Sequence, residues 1–200
     1  MSIVTNLTQA QIDNIQIDEG VLIIDYGEQT ERPLLPCRGG GEFTVTANVR
    51  DIEFDGRIGK TAGVQVVDDQ SATLKVTTIN VSNQNLALAV PFCRMYDGED
   101  NQITTNLATD PVTIANPKSG IIPSSAYLKN VTMFAKLVDG TFKKITIHRP
   151  MNESGLNIKA VQKAEGELAL EFVAHYDTHD LNGTLWEISD TDTFSLDNGL

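Results

Sequence analysis

From Glu42 onward the chain alternates between apolar and polar positions. Phe43, Val45, Ala47 and Val49 are apolar, and Thr44, Thr46, Asn48 and Arg50 between them are polar. A period of two is the mark of a strand with one buried and one wet face. After Arg50-Asp51 the apolar parity shifts to Ile52 and Phe54, which predicts a bulge or bend in a long strand. A second strand, with Ala72, Leu74 and Val76 inward, is expected after a corner at Val67-Asp68-Asp69-Gln70. Between the two, Asp55 to Val66 is polar and carries Gly56, Gly59 and Gly63, yet ends in Val64 and Val66. A connection of roughly a dozen residues is long for a hairpin, and loops of that size carry function or are disordered. The two strands thus read as a holder for an arm that grips another molecule.

The same patterning places the remaining elements. Residues 1–19 have weak periodicity and read as an extended or loosely helical arm. Gly20 to Gly27 is a short apolar strand with a turn residue at each end, and Glu28 to Arg38, with Pro33 and Pro36, is a connector. Gly39 to Gly41 permit backbone angles that other residues avoid. Ser82 can cap a helix in which Leu86, Ala89 and Val90 recur at helical spacing before Pro91 stops it. Residues 97–126 are rich in turn residues and predict loop. Lys129 to Asp139 and Thr141 to His148, joined at Asp139-Gly140, form a strong hairpin signal. A short strand is expected around Asn157 to Val161. Leu168, Leu170, Phe172, Ala174 and Tyr176 alternate cleanly in the last long strand, Leu185 to Ile188 closes the fold, and the acidic tail after Ser189 reads as mobile. No repeat or interdomain linker interrupts the chain. The expectation is one mainly β domain over 1–200, with an arm at 1–19, a tail at 189–200, two packed antiparallel sheets and one flanking α-helix.

Composition narrows the function. The chain has 200 residues, 40% of them hydrophobic, enough for a sizeable core but without the run of about 18 apolar residues that a membrane helix needs. Nothing at the N-terminus has the form of a secretory signal. Cys37 and Cys93 fit no ligand or redox spacing and read as thiols in a reducing compartment. Fifteen Lys and Arg against 27 Asp and Glu leave a net charge of -12. Such a surface repels nucleic acid, because affinity for phosphates comes from basic side chains.

Little in the chain carries recognisable chemistry. Gly59-Lys60-Thr61 imitates the end of a phosphate-binding loop, but Phe54 stands where that pattern needs glycine, and no helix follows. His175 and His179 are four apart, as in zinc-binding helices, but they leave a strand, where that spacing separates them by ~13 Å. A turn at Asp177-Thr178 could bring them together with His148 as a third ligand, which keeps a metal-dependent hydrolase open as an alternative. Asp97-Gly98-Glu99-Asp100-Asn101 lacks the ligand periodicity of a calcium loop. No nucleophile sits in a recognisable elbow. A carbohydrate-binding sandwich would need a face of aromatic side chains, and the 6% aromatics are scattered. No catalytic residue, cofactor or metal is assigned, and the chain reads as an assembly protein.

A resemblance gives that reading a form. The chain resembles the major tail tube proteins of tailed bacteriophages from Gly20 to Ile188. The matching residues are Tyr26-Gly27-Glu28, Arg38-Gly39-Gly40 leading into Glu42-Phe43, and Arg50-Asp51-Ile52-Glu53-Phe54-Asp55-Gly56 through Lys60, Gly63 and Val67-Asp68. They continue with Asn85-Leu86, Ala126 to Val131, Asp139-Gly140, Ile145 to His148, Glu171 to Asp177, and Trp186-Glu187-Ile188. The resemblance implies a structural virion protein with two packed sheets and a flanking helix. It implies six-membered rings stacked into a hollow tail tube, with DNA passing through the lumen unbound. The implied partners are other copies of the chain and the tip, terminator and tape-measure proteins of the tail, with no membrane. The implied location is the virion tail, after assembly in the bacterial cytoplasm. Tube proteins of secretion systems and phage-like particles share this fold and are the alternative assembly. The expected ring-stacking contact is the arm, through Asp55, Arg57, Ile58, Lys60, Thr61, Val64 and Val66, with the two valines as anchors and Arg57 and Lys60 facing an acidic neighbour.

Overall fold

The structure, a computed structural model, describes residues 8–17, 20–56, 58–99, 101–103, 111–116, 119–159 and 165–192. It is mainly β. In chain order the first strands are β1 (Val21–Ile24), β2 (Arg32–Pro33), β3 (Cys37–Asp51) and β4 (Gln65–Thr78). Next come β5 (Arg94–Tyr96), β6 (Gln102–Ile103), β7 (Thr113–Ala115), β8 (Asn130–Lys136) and β9 (Phe142–His148). The last are β10 (Met151–Asn152), β11 (Ile158–Lys159), β12 (Glu167–Val173) and β13 (Trp186–Thr191). Helix α1 covers Gln9–Asp13 and α2 covers Asn83–Ala89.

Two antiparallel sheets carry the fold, ordered β13-β9-β8-β1-β2 and β10-β12-β4-β3, with β11 also on β12. Their facing sides are the alternate residues that the sequence marks. Leu74, Val76, Leu168, Leu170 and Phe172 come from one sheet, and Leu22, Ile24, Val131, Met133 and Ile147 from the other. Full burial of each such side chain contributes about 1.5–3 kcal/mol. The approach is closest at Gly41, where a Cβ would lie 2.5 Å from Met133 Sδ. Gly39 and Gly40 take φ of 76° and 73°, and the register slips there from Cys37↔Thr78 to Gly41↔Val76. The glycine run is therefore a bulge that only residues tolerant of positive φ can form.

Helix α2 lies against the core through Ala87, Leu88 and Ala89, with Leu86 only half-buried. Ser82 caps it, its hydroxyl accepting from Asn85 N at 3.3 Å. Its far end is closed by buried Asn152, whose amide donates to Ala89 O at 2.8 Å while its Oδ1 accepts from Glu171 N at 2.7 Å. Buried Asn85 accepts from Arg32 Nη1 at 3.1 Å and donates to Asn80 O at 3.0 Å.

The structure corrects several expectations. Val67 to Gln70 is not a corner: it is strand with a bulge in it, and β4 begins at Gln65. Residues 97–126 are not all loop, since β6 and β7 flank β5 as a third, small sheet and Ser124–Ala126 form a short 3-10 turn. The last strand runs past Ser189 to Thr191, because Asp190 and Thr191 pair with Lys143 and Phe142; residues 193–200 of the tail lie outside the described residues. The N-terminal arm contains α1, held by a capping box between Thr8 and Gln11. It then pairs along the second large hairpin, Ile17 N donating to Lys136 O and Val138 N to Ile15 O, both at 3.0 Å. The Asp139-Gly140 hairpin and the alternation along β12 stand as expected.

Candidate assembly surface

The β3–β4 hairpin outgrows the sheet that supports it. Strand β12 pairs with β4 only from Thr78 to Thr73, with one further bond from Ala174 N to Ala72 O. From Thr46↔Ser71 to Asp51↔Gln65 the ribbon is two strands wide. Directly paired residues share a face. On the face continuous with the core, Phe43 and Leu74 are followed outward by Val45 and Ala72, Ala47 and Gln70, then Val49 and Val67. Phe43 meets Trp186 edge to face at 5.9 Å and belongs to the core margin. Beyond it cover thins: Ala72 is still buried and Gln70 donates to the Tyr176 hydroxyl at 2.8 Å, but Val45 is 37% exposed, Val49 51% and Val67 57%. The alternation predicts burial along its whole length; the interior face in fact runs on into solvent beyond the rung of Val45 and Ala72.

The opposite face of the overhang is tied by polar rungs. Thr46 and Ser71 hydroxyls are 2.9 Å apart. Arg50 donates through Nε and Nη2 to both carboxylate oxygens of Asp68, at 2.9 and 3.2 Å. Asp68 is also the bulged residue, as Asn48 pairs with Asp69 and Val49 with Val67. The parity shift read after Arg50-Asp51 is not a bulge in β3: that strand ends at Asp51, so Ile52 and Phe54 lie beyond it, and the ladder's irregularity sits earlier, opposite Asn48 and Val49, with the extra residue on β4. Gln65 donates to Asp51 at 2.8 Å on the apolar side's margin.

The tip is shorter than the span Asp55 to Val66. Gln65 and Val66 are strand residues, Val66 pairing with Arg50, and Ile52 N donates to Val64 O at 2.9 Å, one rung beyond the strands. Val64 is half-buried and Val66 lies on the polar face. Asp55, Ile58, Lys60 and Thr61 are all exposed, Thr61 hydroxyl bonding Gly59 O at 3.4 Å. Arg57 lies outside the described residues. Ile58 is completely exposed, and Ile52 and Phe54 about half so. The sequence reading takes the two valines as anchors, although the pattern Ile52, Phe54, Ile58 on polar neighbours is equally visible there.

The three histidines border a different feature, an open groove of about 1220 Å³ also lined by Tyr127, Arg149 and Asp177. His175 N donates to His148 O at 3.2 Å, so the two are adjacent by backbone. The His175 ring sits between Arg149 O (Nδ1, 3.2 Å) and a Glu153 carboxylate oxygen (Nε2, 3.0 Å), with Tyr127 edge-on at 5.0 Å. His179 turns to Asp177 instead, Nδ1 to Oδ1 at 3.2 Å. The Asp177 carboxyl is held below the usual range, first by the His179 N–H, then by the His179 ring, with Arg149 adding to it. Among the described residues no three His, Cys, Asp or Glu side chains converge to hold a metal. No helix among them is long and apolar enough to cross a membrane.

No protein-family model matches the chain, and no curated protein does. Among solved structures, a chain from a virion of a native gene transfer agent particle is similar over 88% of this chain and 99% of its own, at 10% identity and a TM-score of 0.44. Those values are too low for shared function to follow.

Proposed function

We propose that this chain is a structural virion protein that polymerises as stacked six-membered rings into a hollow tail tube for phage DNA. The observation that carries the reading is the overhanging ribbon. A two-stranded hairpin alone in water is marginal at best, and this one exposes Val45, Val49 and Val67 along the face that is core further back. A neighbouring copy that covers this face completes it. Strand β3 is also a long sheet edge, with β13 the edge of the other sheet. Exposed edges invite further strands, and pairing across subunits would make the inner wall a continuous sheet. Contacts between unlike patches of one chain close into rings or run on as filaments. A net charge of -12 suits a lumen along which a duplex slides without adhering. The other tail proteins (tip, terminator and tape measure) would be its partners, with assembly in the host cytoplasm. A tube of a secretion system or phage-like particle rests on the same geometry. Sedimentation velocity across a concentration series tests the reading: rings and longer polymers are expected to appear as concentration rises.

A further inference from the structure

The ribbon's tip needs a receiving surface, and the same hairpin holds one at its base. Where the glycine bulge replaces side chains with open space, Gly20, Leu22, Cys37, Gly40, Val76 and Met133 line a hollow of about 90 Å³. Half-exposed Leu35 stands at its rim. An engineered core cavity of about 150 Å³ takes benzene, so this hollow suits the end of one branched aliphatic side chain and no larger ligand. Ile58 is such a side chain, wholly exposed at the tip. Tip and hollow lie at opposite ends of β3, which spans roughly 45 Å at strand rise, so no copy can fill its own hollow.

We infer that Ile58 at the tip of one copy's hairpin seats in the glycine-bulge hollow at the base of the next copy's hairpin. The inference rests on the self-assembly proposed above and names the surface that receives the arm. Charge agrees with the placement. Beside the hollow, Arg38 is shared by Glu165 and Glu167 at 2.9 and 2.8 Å, leaving one carboxylate in excess there; on the tip Lys60 follows Ile58 by two residues, with Glu53 and Asp55 set back toward β3. Knob and hollow are different patches, so the contact is head-to-tail and repeats without limit along one direction.

The native thiol of Cys37 lines the hollow, which gives a direct test. Ile58→Cys in the full chain, oxidised with diamide, is expected to give intermolecular disulfide ladders under conditions of assembly. Cys37→Ser in the same background should abolish them, and buried Cys93 should not substitute. Separately, Leu35→Glu should raise the concentration needed for assembly roughly tenfold or more, the scale set by burying one aliphatic side chain. Assemblies that form normally but show no disulfide between the introduced thiol and Cys37, though Ile58→Asp still blocks them, would overturn this docking and leave the tube reading standing. A wild-type chain that never associates would overturn both.

Discussion

Asn152 shows how much one polar residue can hold when every bond it makes is satisfied. Its side chain joins the end of α2, the turn to Gly155, and strand β12 through Glu171 N. Truncation to Ala leaves Ala89 O and Glu171 N without these partners in a dry setting. Asn152→Ala should cost roughly 2–3 kcal/mol, read as a lower urea midpoint with unchanged slope. Carboxylates at turns add a pH dependence. Asp139 accepts from the Thr141 hydroxyl and N–H, and Asp97 from Asn101 and Glu99 N–H groups; both are held below the usual carboxyl range by these bonds. A depressed folded value means the stabilisation is complete above the ordinary Asp range and is lost as pH falls through the folded value. Urea midpoints should therefore fall on acidification below about pH 4, and less steeply in Asp139→Asn. The histidines have no ligand role in this account. Replacing His148, His175 and His179 together by Gln should leave assembly intact, and a stoichiometric metal lost in that variant would overturn the assignment.

At the scale of elements, legibility followed how regular the local pattern is. Strand β12 could be read from its clean alternation and the β8–β9 hairpin from Asp139-Gly140, because each signal is local and complete. The outer half of β4 could not: the bulge at Asp68 resets parity, so Val67-Asp68-Asp69-Gln70 looks like a corner although it is strand. Strands β5 to β7 span two or three residues each, too few for any period to show. The sequence places an arm at Asp55 to Val66 between the two strands, but alternation alone cannot tell an apolar face that is covered from one that overhangs. Only the point where β12 stops pairing decides that. Joining Asp51 to Gln65 by Asn-Gly in place of residues 52–64 suits the ribbon, since a two-residue turn of that type matches strand twist. The shortened chain should keep its fold and stability, because loop length alters stability only slowly, yet lose polymerisation. Circular dichroism with sedimentation separates the two effects, and long polymers from the shortened chain would show that the tip is not the joint.

Across the whole molecule, two unlike edges, an exposed extension of the core face and an acidic sequence are the features on which the proposed self-assembly rests. Burial of Val45, Val49 and Val67 by another copy is the central claim. Negative-stain electron microscopy of the purified chain, at rising concentration and with a nucleating tail tip, tests it most directly. The account predicts rings and hollow tubes, lost in a Val49→Asp, Val67→Asp variant that remains folded; compact single particles under every condition would contradict it.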